Sequence, residues 1–179
     1  MHPHRNMEII TIPLEGELEH EDSMGNKGVL KHGEIQVMSA GEGIMHSEYN
    51  RDSRIPLKLL QIWVISDKMN VEPRYEQHPV DLSKSHNSFH QIASPDKDQG
   101  AWIHQQAWFS IGQFDKGTEK RYDLKSPHNG VYAFVIEGSF EIGGIHLSKR
   151  DGLGIFEAAG INTRSEEDNS VVIFMEVPM

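Results

Sequence analysis

Short stretches of β-branched and aromatic residues recur along the chain, each closed by glycine, asparagine, aspartate or proline. That punctuation predicts strands and turns, and many short strands in succession predict an all-β sandwich or barrel. The candidate strands are Met7–Leu14, Glu34–Met38, Leu57–Ile65, Ala107–Gly112, Val131–Glu137 and Ser170–Val177. Ser139–Ile142 and Ile145–Leu147 flank Gly143-Gly144, a pair that tolerates positive φ and closes a tight hairpin. Helical periodicity is weak throughout. The stretch from Ser66 to Lys97 is polar, carries Pro73, Pro79 and Pro95, and reads as a connection with at most one short strand near Phe89–Ala93.

The turns repeat. Leu14-Glu15-Gly16 matches Ile136-Glu137-Gly138, Gly33 matches Gly152, and Ala40-Gly41 matches Ala159-Gly160 in the same order. A repeated order of turns predicts two similar β modules in tandem. The expected organisation is an N-terminal module over residues 1–66, a connecting segment over 67–97 and a C-terminal module over 98–179.

Composition narrows the chemistry. Without cysteine there is no disulfide framework, thiolate metal site or cysteine nucleophile, so histidine and carboxylates are the remaining ligands for a transition metal. Lys and Arg number 17 against 27 Asp and Glu, and a net charge of -10 argues against direct binding to nucleic acid. The longest apolar run, Leu57 to Ile65, is broken by Lys58 and Gln61 and falls far short of a membrane span. The N-terminus lacks the apolar core of a signal peptide, so the expected location is cytoplasmic.

Eleven histidines is a high share, and their positions matter more than their number. His2 and His4 lie two apart, as do His46 and Glu48 in the segment Gly43–Tyr49. Side chains two apart on extended backbone share a face, so each pair presents two ligands to one side. Three neutral imidazoles and one carboxylate suit iron, nickel, manganese, copper or zinc and leave coordination positions open for chemistry. Counting by turn offsets from Gly138 and Gly160 lands on Leu124, Ser126, Ser165 and Glu167, so the second module is expected to lack the set. The other histidines, His20 among them, have no partner at ligand spacing and read as structural or solvated. Trp63, Trp102 and Trp108 read as barrel filling. Glu8 is open to two readings, a carboxylate that orients an imidazole or a solvent-facing strand residue.

At His2-Pro-His-Arg-Asn-Met-Glu8, Leu14-Glu-Gly16, His20-Glu-Asp-Ser-Met-Gly-Asn26 and Ser39-Ala-Gly-Glu-Gly-Ile-Met-His-Ser-Glu48, the sequence resembles pirin and its bacterial relatives. The similarity runs on through Leu60-Gln-Ile-Trp63 and Pro73-Arg-Tyr-Glu-Gln77, and more loosely around Asp151-Gly-Leu153. The resemblance implies two tandem cupin, jelly-roll-like barrels, of which only the first binds metal, through residues that here fall on His2, His4, His46 and Glu48. Several bacterial members are quercetin 2,3-dioxygenases, which implies an oxidoreductase that opens a flavonol with dioxygen while Glu48 accepts the hydroxyl proton. Mammalian relatives described as iron-dependent transcription coregulators imply the alternative, a metal- or redox-responsive module that binds a protein partner without catalysis. Iron is the first expectation for the metal. Relatives carry further strands ahead of the His-Pro-His segment, so the first barrel is expected to be shortened, with an open sheet edge that a homodimer could cover.

Overall fold

Alternating half-buried patterns and glycine-rich turns do resolve into strands, and one 3-10 turn over Leu82–Ser85 is the sole helical element. The computed structural model describes residues 1–179. In chain order the strands are β1 (His2–His4), β2 (Met7–Glu15), β3 (Glu17–Asp22), β4 (Lys27–Lys31), β5 (Glu34–Ser39), β6 (Ile44–Asn50), β7 (Lys58–Ile65) and β8 (Arg74–Pro79). There follow β9 (Phe89–Ser94), β10 (Ala101–Trp102), β11 (Trp108–Phe114), β12 (Glu119–Asp123), β13 (Asn129–Glu137), β14 (Phe140–Ile142), β15 (Ile145–Leu147), β16 (Gly152–Ile155), β17 (Gly160–Ser165) and β18 (Ser170–Pro178).

The chain divides into two compact units, one of residues 1–80 and 95–105, the other of residues 81–94 and 106–179. The stretch expected to be a connection with at most one short strand near Phe89–Ala93 carries that strand as β9, carries β8 as well, and is shared between the two units. Its β8 pairs antiparallel with β5 from Glu34↔Pro79 to Ser39↔Arg74. Every β8 residue but Pro79 is half-buried and most are polar, so no apolar alternation advertises the strand.

Unit 1 holds two four-stranded sheets, ordered β1-β6-β3-β4 and β7-β2-β5-β8. β7 is an edge strand, and none of its eight residues is buried. In unit 2 one sheet is ordered β12-β17-β14-β15, and in the other β9, β11, β18, β13 and β16 follow one another.

The two Glu-Gly turns are one device used twice. β2 slips register against β7 between Pro13 and Glu15, and β13 slips against β18 between Val135 and Glu137. Gly16 at φ 78° and Gly138 at φ 71° then turn the chain out of one sheet into the other. A bulge followed by a left-handed residue is how a strand bends at such a corner. A Cβ on Gly138 would lie 2.2 Å from the Ser170 hydroxyl, and one on Gly16 would lie 2.8 Å from the Pro56 carbonyl. Both positions exclude any side chain on space as well as on conformation.

These glycines allow the units to be aligned through their ladders. Leu18↔Leu30 corresponds to Phe140↔Leu147, and His20↔Glu48 to Ile142↔Thr163. On that register the counterparts of His2, His4, His46 and Glu48 are Tyr122, Leu124, Ile161 and Thr163, whereas counting turn offsets puts Leu124 in the place of His2 and reaches Ser126, Ser165 and Glu167 for the others. Counting fails because the loops between the ladders differ in length. None of the four counterparts is a histidine or a carboxylate. Its interior is packed instead with Phe114, Phe140, Phe174, Val135 and Ile142 around Tyr122, all buried. Rings meet at centroid separations of 4.7 Å for Phe89–Phe174 and 5.9 Å for Phe114–Phe140, and each buried ring contributes about 1.5–3 kcal/mol.

Candidate metal centre

The register of three strands gathers the histidines. Antiparallel pairing sets His2 opposite His46 and His46 opposite Asp22, while Glu48 lies opposite His20. Because facing residues share a side of the sheet, the pairs His2/His4, His46/Glu48 and His20/Asp22 all project toward one interior. The ring centroids of His2 and His46 are 4.3 Å apart, those of His2 and His4 4.8 Å, and those of His4 and His46 4.9 Å. His2, His4 and His46 offer ligand atoms that lie within 4.8 Å of one another, and so do His20, His46 and Glu48. Glu48 thus joins the cluster through His46 and His20.

Burial is graded. His46 is fully buried, His4 nearly so, and His2 exposed. The Nε2 atoms of His46 and His2 approach to 2.8 Å, a contact that needs a shared proton or a shared cation. Burial, followed by the charges of His2, His4 and His20, brings the His46 imidazole down to about 4. Burial and then His2 also lower His4. Both rings are therefore neutral at physiological pH, which is the form that ligates, and His4 Nε2 and His46 Nδ1 are buried without a protein partner.

Glu48 is held from one side. Its Oε2 accepts from Gln61 Nε2 at 2.7 Å, while its buried Oε1 has no protein partner. Gln61 Oε1 accepts in turn from the Trp63 indole at 3.2 Å, and the Trp63 ring stands edge-on to His4 at 5.1 Å. Trp63 is 58% exposed, so it stands at the surface over a candidate ligand and does not fill the barrel.

His20, read from the sequence as structural or solvated, belongs to this cluster. It is buried, stacked on Tyr75 at 4.7 Å, with Nε2 at 3.4 Å from Asp22 Oδ2. Burial works against the Asp22 anion, but donors from the side chain and backbone of Asn26, from His20 and from the Met24 amide hold its carboxyl below the usual range. The missed signal was His20-x-Asp22, the same two-residue spacing as the other pairs. Glu8 answers to neither sequence reading. It is fully buried and accepts from the hydroxyls of Ser39 at 2.8 Å and Ser66 at 3.1 Å, so it ties β2 to its neighbours.

The residues fit a metal ion. Buried polar atoms ordinarily find partners, yet His4 Nε2 and Glu48 Oε1 are buried and have none. Three imidazoles and a carboxylate are a donor set for a first-row divalent ion.

A β-barrel with a histidine-rich interior, followed by a second unit wired in the same way but packed with aromatics, defines a two-module cupin. The comparisons agree. Residues 1–64 match the family model described as Pirin, and residues 91–177 the one described as Quercetinase C-terminal cupin domain. The chain is 37% identical over 174 residues to a quercetin 2,3-dioxygenase of Escherichia coli K12, an alignment covering 97% of this chain and 74% of that one. It is 33% identical to a pirin-like protein of Caulobacter vibrioides, covering 96% and 74%. The crystal structure of the E. coli bacterial pirin YhhW in complex with nickel(II) superposes with a TM-score of 0.91 at 36% identity, covering 99% of this chain and 75% of that one. This chain belongs to the pirin family. No helix in it is long and apolar enough to cross a membrane.

Proposed function

We propose that this protein is a quercetin 2,3-dioxygenase-type oxidoreductase that opens a flavonol with dioxygen at one divalent transition metal ion, iron in the first instance, held by His2, His4, His46 and Glu48. The observation that carries this reading is the convergence of His2, His4 and His46 within 4.8 Å of one another, with His4 Nε2 and Glu48 Oε1 buried and unpartnered beside them. The name and 37% identity of the E. coli relative support the flavonol as substrate class.

When bound, the ion supplies Lewis-acid polarisation of the substrate oxygens and a partner for dioxygen. The chain supplies the rest. Glu48 takes the flavonol hydroxyl proton on its carboxylate, which Gln61 anchors through the other oxygen at 2.7 Å. The neutral state of His46 and His4, enforced by burial, keeps both rings available as ligands. Trp63 shields the His4 side, and the barrel interior restricts water at the reacting ring.

The test is elemental analysis beside oxygen uptake with quercetin, for the wild type, His46→Ala and Glu48→Gln. A stoichiometric metal in the wild type that His46→Ala loses, with oxygen uptake lost in both variants, is the expected result. Wild-type protein that is fully metal-loaded yet consumes no oxygen with quercetin refutes the catalytic reading, and absence of metal from the wild type refutes the site.

A further inference from the structure

The sheet that faces the histidines carries a row of polar side chains of which the proposed chemistry uses only Gln61. Across β7, β2, β5 and β8, Cα pairing runs Gln61↔Thr11, Thr11↔Gln36 and Gln36↔Gln77. Alternation places this row on one face of the sheet, and its ends show which face that is. Gln61 donates to Glu48 on β6, and Gln77 donates to the Val29 carbonyl on β4, so the row looks across the barrel interior toward the sheet of the metal ligands.

The ends of the row are satisfied and the middle is not. Gln77 also donates to Glu34 and accepts from the Tyr75 hydroxyl. Thr11 and Gln36 are fully buried, yet the Thr11 hydroxyl and both amide atoms of Gln36 have no protein partner. Leaving such groups unpaired costs about 1–3 kcal/mol each, so a sequence that keeps three of them side by side is not optimised for packing there.

The second unit provides the comparison. Through the shared ladder register, the counterparts of Gln61, Thr11 and Gln36 are Phe174, Ala133 and Leu153, linked by Ala133↔Phe174 and Ala133↔Leu153. Those residues are part of a packed apolar core. All eight buried side-chain polar atoms without a partner lie in unit 1. The frame thus accepts an apolar row, and the polar one accompanies the metal set.

We infer that Thr11 and Gln36 are specificity-determining residues, a donor–acceptor floor that hydrogen-bonds hydroxyl or carbonyl groups of a planar polyhydroxylated substrate while the metal side engages its reacting oxygens. This rests on the flavonol reading above and adds what selects among flavonols. The carboxamide offers both a donor and an acceptor and the hydroxyl either role, so the floor reads oxygen substituents and gains nothing from a bare ring.

The experiment uses nickel(II)-loaded protein under anaerobic conditions and two probes, quercetin and 3-hydroxyflavone, which share the reacting oxygens and differ in their further hydroxyls. Dissociation constants are measured for the wild type, Thr11→Val, Gln36→Leu and the double variant, with metal content and urea unfolding on each. The expected wild type prefers quercetin by about tenfold or more, and the double variant loses that preference while keeping its metal. Unfolding midpoints at or above the wild type are expected, since apolar isosteres remove unpaired groups. Unchanged preference in a metal-loaded double variant overturns the inference and leaves the flavonol reading intact. A metal-loaded wild type that binds neither probe overturns both. A marked loss of stability in Thr11→Val overturns the inference in favour of a structural role for the row.

Discussion

The fully buried His46 makes the metal-free protein acid-sensitive in a way that can be assigned to one residue. Burial first, and then the charges of His2, His4 and His20, lower its imidazole from 6.5 to about 4, with Asp22 acting in the opposite direction. In the unfolded chain the ring titrates at its ordinary value. Between those two pH values the unfolded state binds the proton and the folded state does not, so stability rises with pH across the window and is lost as pH falls. It is fully present above about pH 6.5 and spent by about pH 4, and the integrated effect is about 3 kcal/mol. His4, lowered by burial and by His2, adds in the same direction.

The assay is urea unfolding of chelator-treated wild type and His46→Gln at pH 7 and pH 4.5. Glutamine occupies similar space and cannot take the proton, so carboxylate titrations elsewhere cancel in the comparison. On going from pH 7 to 4.5 the wild type should lose about 2–3 kcal/mol more than the variant. Parallel losses in the two proteins would refute the argument, because they would mean that His46 is free to protonate in the folded chain. At pH 7, added metal should stabilise the wild type by an amount that grows with the logarithm of its affinity and leave the variant largely unmoved.

Three further outcomes follow from single contacts. Gln61→Leu removes the donor that anchors Glu48, and metal affinity measured by competition with a chromophoric chelator should fall about tenfold, with the fold unchanged by circular dichroism. Gly41→Ala sets a Cβ 1.9 Å from the Val71 carbonyl at a φ of 48°, and equilibrium unfolding should show a loss of about 3 kcal/mol or more. Phe174→Ala opens a cavity in the core of unit 2 and should cost about 3–5 kcal/mol in the same assay, while wild-type metal stoichiometry is retained where the protein is folded.

What the sequence disclosed depended on whether a feature was local. β2, with its run of buried isoleucines, and β18, with Val172 through Met175 buried, were visible as apolar strands. β12 was not, because Glu119-Lys-Arg-Tyr-Asp123 buries Tyr122 alone. The ligand pairs were legible because two-residue spacing is written along one strand. His20-x-Asp22 carries the same spacing, but its relation to Glu48 and His46 exists only across the β3–β6 ladder. Trp63 misled for a related reason, since aromatic character says that a ring will meet something, and here a surface ring meets the buried His4.

The two units separate what the fold requires from what the site requires. Both share the bulge, the left-handed glycine and the ladder register, so those features serve the barrel. They differ in the interior, where the positions of His20, Glu48, Thr11 and Gln36 are occupied in the other unit by Ile142, Thr163, Ala133 and Leu153. A filling that is apolar, or hydrogen-bonded as Thr163 is to the Lys120 carbonyl, is therefore available to this frame and would be the more stable choice, because each unpaired polar group forfeits about 1–3 kcal/mol. A domain holds only about 5–15 kcal/mol in reserve, so eight unpaired atoms in one unit amount to a large concession by that measure. Such a concession persists where the groups have a ligand to meet, and its confinement to the unit with the histidines ties the polar floor and the metal set to one function.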